Sequence, residues 1–108
     1  MTWIVETLDK RVDREIRKLA PDIQADLLHV LDLLEEFGPH DVGMPHVRHI
    51  RDKLWEIRAR GRSGHGRGIY IAVKGRRLVI LTAFTKKTAT TPKKYIDLAM
   101  ERAKEAKL

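Results

Sequence analysis

Seven consecutive residues, Leu78-Val79-Ile80-Leu81-Thr82-Ala83-Phe84, form the longest apolar run of a chain that is otherwise one-third charged. A run this short cannot span a bilayer, which takes roughly 20 apolar residues. Bounded by Arg77 and Thr85-Lys86-Lys87, it predicts a buried, central β-strand. Two more strand-like runs precede it. Leu54-Trp55-Glu56-Ile57-Arg58 alternates, and Ile69-Tyr70-Ile71-Ala72-Val73 is almost continuously apolar. The glycine-rich stretch Arg60-Gly61-Arg62-Ser63-Gly64-His65-Gly66 separates the first two, and Lys74-Gly75-Arg76-Arg77 separates the last two. Spacers this short force neighbouring strands to run antiparallel, so the expectation is a three-stranded meander. Residues 2–6 add a short β-branched and aromatic first strand.

The remaining segments read as helices. Leu8, Val12, Ile16 and Leu19 share one helical face, with Thr7 or Asp9 as the N-cap. Pro21 is expected to end that helix and Asp22 to cap the next. Ile23, Leu27, Leu28, Val30, Leu31 and Leu34 give the second helix a wide apolar stripe, and Phe37-Gly38-Pro39 stops it. Residues 38–46 read as a loop. Thr91 as N-cap with Pro92 at the first position starts a C-terminal helix, whose stripe is Ile96, Ala99, Met100 and Ala103. The predicted order is β-α-α-β-β-β-α in one domain, residues 1–108. The class is α+β: an N-terminal strand and helical hairpin packed on a small antiparallel sheet, plus a C-terminal helix. The hairpin covers one sheet face, and the other is expected to stay partly open.

Charge is divided along the chain. Lys and Arg number 22 against 15 Asp and Glu, a net of +7. Residues 1–37 carry five basic and nine acidic side chains, so residues 38–108 carry 17 and six, a net of +11. Such an excess on one part of the surface points to polyanionic partners, nucleic acid first. Cysteine is absent, which excludes a disulfide scaffold, a Cys-ligated zinc site and a cysteine nucleophile. The first residues show no signal-peptide pattern, so a cytoplasmic location without membrane attachment is the expectation.

Strand alternation groups the candidate functional residues. Trp55 and Ile57 belong to the core face, which sends Glu56 and Arg58 to the open one. Antiparallel pairing then gathers Arg58, Arg67 and Lys86 or Lys87 at one end of the sheet. A cationic cluster with one carboxylate suits a phosphodiester, because cations stabilise the added charge of a pentacoordinate phosphate. A lysine among other cations has a lowered pKa and can act as a base. Such a group would cleave RNA through its 2′-OH without a metal. The plainer reading is a surface network in which Glu56 only bridges arginines. His46 and His49 have a helical metal-binding spacing but lack a third ligand, so a loop or edge strand is the stronger reading there. His65, in the glycine turn, is a candidate RNA contact. Gly61, Gly64, Gly66 and Gly68 lack the strand-to-helix context of a nucleotide-binding motif. No metal and no cofactor are expected.

The pieces "LWEIR", "RGIYI" and "FTKKT…TP", in this order and with the helical hairpin, resemble the RelE/ParE toxin superfamily, most closely its HigB-like, phage-derived branch. The resemblance implies a compact microbial-ribonuclease-like fold and a toxin of a type II toxin–antitoxin system. It implies a ribosome-dependent mRNA endonuclease that blocks translation, leaving a 2′,3′-cyclic phosphate and a 5′-OH. Its implied partners are a helix-turn-helix antitoxin, the ribosome and mRNA. Carried onto this chain, Arg58, Arg67, Lys86, Lys87 and Glu56 become the catalytic candidates. Arg60, Arg62, His65, Tyr70, Lys93, Lys94 and Tyr95 become candidate RNA contacts, with Tyr70 read more as packing than as catalysis. Tyr95 stands where this group usually carries a glutamate. The His/Asp/Tyr set of some HigB toxins is not recognisable near the C-terminus. Two other readings stay open: a ParE-like poison of DNA gyrase, and a non-catalytic regulator binding nucleic acid or the ribosome.

Overall fold

A computed structural model describes residues 2–108. Its elements are β1 (Ile4–Thr7), α1 (Lys10–Arg17), α2 (Pro21–Val42), β2 (Val47–Arg51), β3 (Leu54–Gly61), β4 (Gly64–Val73), β5 (Arg77–Lys86) and α3 (Lys93–Glu105). The five strands form one sheet in the order β1-β5-β4-β3-β2. Strands β2 to β5 are antiparallel neighbours, and β1 runs parallel to β5. The expected meander is therefore present but enlarged on both sides. The apolar run 78–84 lies in β5, one place from the middle, and β4 is the central strand.

The extra strand β2 falls at the end of the predicted loop, over the segment read as loop or edge strand. Only Val47 in it is fully buried, so its apolar signal is too thin to announce a strand. β3 supplies what the sequence of β2 lacks, pairing Val47 with Ile57 and Arg48 with Glu56.

Helix boundaries follow local chemistry, with reassignments at Pro21, Asp22 and Thr91. Asp9 caps α1, its carboxylate accepting the Arg11 N–H at 2.9 Å. Pro21 opens α2 rather than only closing α1, since a proline at the first helical position has no N–H to waste. Asp22 does not cap α2. Its carboxylate accepts the Ser63 N–H at 2.7 Å, and Asp26 accepts the Arg60 N–H at 2.8 Å, so α2 holds the β3–β4 turn. The stop at 37–39 occurs as a break: Gly38 sits at φ +82°, and one helical turn follows. A Cβ there would lie 2.5 Å from Trp3 Nε1, so both conformation and space demand glycine. Thr91 does not cap α3; its hydroxyl is engaged by Glu56.

Helices pack on both sheet faces. Val12, Ile16, Ile23, Leu27, Val30 and Leu34 of the hairpin pack on Ile57, Tyr70, Leu78 and Ile80. Ala99 and Ala103 of α3 pack on Leu54, Ile69, Ile71, Val79 and Leu81. α3 covers much of the face expected to stay partly open and leaves its Arg58–Lys86 end uncovered, while Glu56, expected in the open, is 3% exposed. Trp55 takes the hairpin side as expected. It lines a pocket beside the last turn of α2, however, and is 38% exposed rather than core.

One edge needs a special device. β1 ends at Thr7, opposite Ile80, and Leu81 is the extra residue of a bulge against β4. From there the β5 edge has no strand beside it. Glu15 of α1 and Arg102 of α3 take that place. Arg102 Nη1 donates to the Leu81 carbonyl at 2.7 Å, and Glu15 accepts from the Thr82 hydroxyl at 2.8 Å. The two side chains join through two hydrogen bonds of 2.9 and 2.7 Å. Buried polar backbone is satisfied by a fork-shaped ion pair instead of a sixth strand.

Candidate functional site

Register alone brings the cations together. Arg58 lies opposite Arg67 and Arg60 opposite His65 across β3 and β4, and His65 lies opposite Lys86 across β4 and β5. Beyond the N-terminus of α3 this end of the face is not packed over. A pocket of about 340 Å³ opens there, lined by Arg58, His65, Arg67, Lys86, Lys87, Thr88 and Ala89. A second pocket, of about 350 Å³, shares Arg58, His65 and Arg67 and adds Asp26, His29, His46 and Arg60. The two meet along the same three basic side chains.

Arg67 is the pivot. It is 3% exposed yet forms part of both pocket walls. Its Nη1 donates to the Gly66 carbonyl at 2.8 Å, while its buried Nε has no hydrogen-bond partner among the described residues. Glu56 Oε1 stands 3.7 Å from that Nε, an ion pair longer than a hydrogen bond. The other oxygen, Oε2, accepts the Thr91 hydroxyl at 2.6 Å. The strand thus fixes Glu56 from below and the linker fixes it from above, leaving Arg67 with donor capacity to spare.

The electrostatics follow. Burial lowers the Arg67 pKa, with Arg58 and Arg48 adding to that and Glu56 opposing it. The guanidinium stays charged at any working pH. Burial likewise lowers the Lys86 ammonium, and Arg67, Arg58 and Arg48 reinforce it against Glu56. A lysine so placed gives up its proton more readily than a free one.

The sequence matches the family described as "Phage derived protein Gp49-like (DUF891)" over residues 14–104. The chain belongs to the Gp49-like family. The archaeal RelE–RelB complex from Pyrococcus horikoshii OT3, a crystal structure, contains a chain similar to it. The TM-score is 0.60 and the identity 26%, covering 82% of this chain and 100% of that one. The Gp49-like chain therefore has a RelE-like fold. None of the curated proteins matches it significantly.

The remaining candidates of the Gp49-like chain are spread more widely. Arg62 is exposed in the β3–β4 turn. Lys93 and Lys94 stand on the first turn of α3, where Lys93 pairs with Asp97 at 3.4 Å. Tyr95 lies flat on Phe84, centroids 3.8 Å apart and planes 2° from parallel, with the Lys94 ammonium 5.0 Å from its centroid. It lines a groove of about 540 Å³ that shares Lys87 and Thr88 with the cationic pocket. Tyr70 is elsewhere: it is buried on the hairpin face, burial raises its phenol pKa, and it does not border either cationic pocket. His49 turns to the Asp52 carbonyl, 2.8 Å away. Among the described residues no group of three or more His, Asp or Glu is gathered as a metal site.

Two contributors escaped the sequence reading. Arg48 lies opposite Glu56, and its charge bears on both Arg67 and Lys86. Pairing Val47-Arg48-His49 with the alternation of 54–58 would have placed it on the cationic face. Thr91 was read only as a helix cap, and no local signal links it to Glu56, 35 residues away.

Proposed function

We propose that this protein is the toxin of a type II toxin–antitoxin system and acts as a ribosome-dependent mRNA endonuclease of the HigB-like kind. The reading rests most directly on Arg67, a buried, incompletely bonded guanidinium at the meeting of two cation-lined pockets. Membership of the Gp49-like family and the likeness to the RelE–RelB complex support it. The family resemblance supplies the ribosome and mRNA as partners.

In this mechanism a scissile phosphate enters the pocket between Arg58, Arg67 and Lys87. Lys86, in its neutral form, takes the proton of the ribose 2′-OH. The 2′-oxygen bonds to phosphorus, and the bond to the 5′-oxygen of the next nucleotide breaks. Solvent returns a proton to that leaving oxygen, and His65, opposite Lys86 in the ladder, contacts the RNA beside it. The products are a 2′,3′-cyclic phosphate and a 5′-OH. Arg58 and Arg67 stabilise the extra negative charge of the transition state, in a site already built to receive it. Glu56 does not touch RNA in this scheme; it holds Arg67 in place. Arg60, Arg62, Lys93 and Lys94 attract the flanking backbone, and Tyr95 offers an aromatic edge beside it.

The test is translation in a reconstituted system with the purified chain, followed by mapping of mRNA 5′ ends with and without ribosomes. The expected result is cuts that need ribosomes and carry cyclic-phosphate ends. Intact mRNA together with inhibited gyrase supercoiling would transfer the chain to the ParE-like reading. Ribosome binding without cuts would make it a non-catalytic regulator.

A further inference from the structure

α2 breaks at Gly38, and its last turn, with Pro39 and His40, stands at one end of the hairpin face. A pocket of about 540 Å³ lies there, on the opposite sheet face from the cationic cluster, walled by Trp3, Met44, Trp55 and Tyr70 with Arg48 and His49 at its rim. Met44 is 61% exposed. The Trp55 ring meets His49 edge-on at 5.0 Å, so the apolar wall is continuous with β2. Apolar surface concentrated around tryptophan and methionine marks protein interfaces more than solvent-facing surface. Tyr70, 1% exposed and part of this wall, has a hydroxyl with no hydrogen-bond partner among the described residues. A buried hydroxyl left so has an unfilled donor and acceptor.

The rim is also a sheet edge. β2 is the last strand, so its outer backbone groups face no neighbouring strand. Such an edge is a template for an added strand. Its side chains choose the guest. Arg48 and Arg51 are exposed along it, and Asp52, the nearby carboxylate, is already 3.8 Å from Arg51 Nε. A second copy pairing through β2 would set these arginines against their own equivalents, so charge disfavours self-association there.

We propose that the β2 edge and this pocket receive an extended acidic segment of a partner protein. The segment adds a strand to β2, sets one Leu-sized or larger apolar side chain between Trp3, Met44 and Trp55, and pairs its carboxylates with Arg48 and Arg51. Only the biological role of that partner, an antitoxin, rests on the toxin–antitoxin reading.

Isotope-labelled full-length chain is titrated with three probes and followed by amide and indole NMR. The first is a synthetic peptide alternating Glu and Val around one central Leu. The second replaces each Glu with Lys, and the third is single-stranded RNA. The expected result is that only the acidic peptide shifts the amides of residues 47–51 and the Trp55 indole. Met44→Glu and Arg51→Glu, both at exposed positions, each weaken it by about tenfold or more without moving the melting temperature. The proposal is overturned if the acidic peptide leaves these signals in place, if the Lys peptide binds as well, or if RNA moves them instead. Concentration-dependent dimerisation that Met44→Glu abolishes would also overturn it. No ribosome is present, so failure here leaves the cleavage reading standing, and failure to cleave leaves this surface standing.

Discussion

Two buried arginine–carboxylate pairs lie at different places on one sheet and are built in opposite ways. Arg102 and Glu15 form a closed fork: both guanidinium Nη atoms donate to the carboxylate, and Nη1 also donates to the Leu81 carbonyl. Nothing is left to offer a ligand except the enclosed Nε. Arg67 and Glu56 form an open pair, 3.7 Å apart, whose guanidinium makes one hydrogen bond to protein and borders two pockets. The saturated pair replaces a missing strand. The unsaturated pair has donors left over. On the proposed function, the difference separates a structural charge from a functional one without appeal to position in the sequence.

Arg67→Ala carries the largest expected effect. Cleavage falls by about 10²–10³-fold, the cost of removing one preorganised donor from a transition state. The variant still melts cooperatively, as checked by urea denaturation. Arg102→Ala does the reverse. It strands the Glu15 carboxylate and unfills the β5 edge, costing about 3 kcal/mol in urea denaturation, while cleavage per folded molecule is retained. Were Arg102→Ala to remove cleavage with its fold intact, the comparison would fail.

Glu56→Gln sharpens the same contrast. The amide can keep the Thr91 hydroxyl but loses the charge that positions Arg67, so cleavage drops about tenfold, or 1.4 kcal/mol, and urea stability falls as well because the buried guanidinium loses its counter-charge. Acid reads the other pair. Burial pushes the Glu15 carboxyl up, but the hydrogen bonds from Arg102 and Thr82 together outweigh it and hold it below its ordinary 4.5. The unfolded chain binds this proton first, so the pair's contribution is complete above about pH 4.5 and is lost as pH falls through the lower folded value. Glu15→Gln is less stable at neutral pH and shows a flatter loss of stability in acid, measured by urea melts across pH. Tyr95→Ala has the smallest effect. Losing the stack on Phe84 costs about 1 kcal/mol, and a matching small fall in cleavage would mark Tyr95 as packing.

How much of this the sequence carried differs between the two pairs. Arg58, Arg67 and Lys86 were legible because strand alternation and two short turns fix cross-strand register, and register fixes neighbours. The helical hairpin was legible from its periodic Ile, Leu and Val residues. Strand β2 was only half legible, as a loop or an edge strand, because four of its five residues are not fully buried and its strand character comes from pairing with β3. Covering of the second face was missed for a related reason. The stripe of α3 rests on Ala99 and Ala103, small residues whose value lies in close approach, so its strength as a cover is invisible in hydropathy. The Glu15–Arg102 fork joins residues 87 apart, and no local pattern announces such a contact.

The most direct test of the central claim is a paired measurement. Arg67→Ala and Arg102→Ala are each assayed for urea stability and for ribosome-dependent mRNA cleavage, with the wild-type chain beside them. The account predicts a crossed result: Arg67→Ala loses cleavage far beyond its loss of stability, and Arg102→Ala loses stability without losing cleavage per folded molecule. Parallel losses in both variants, or wild-type cleavage by Arg67→Ala, would contradict it.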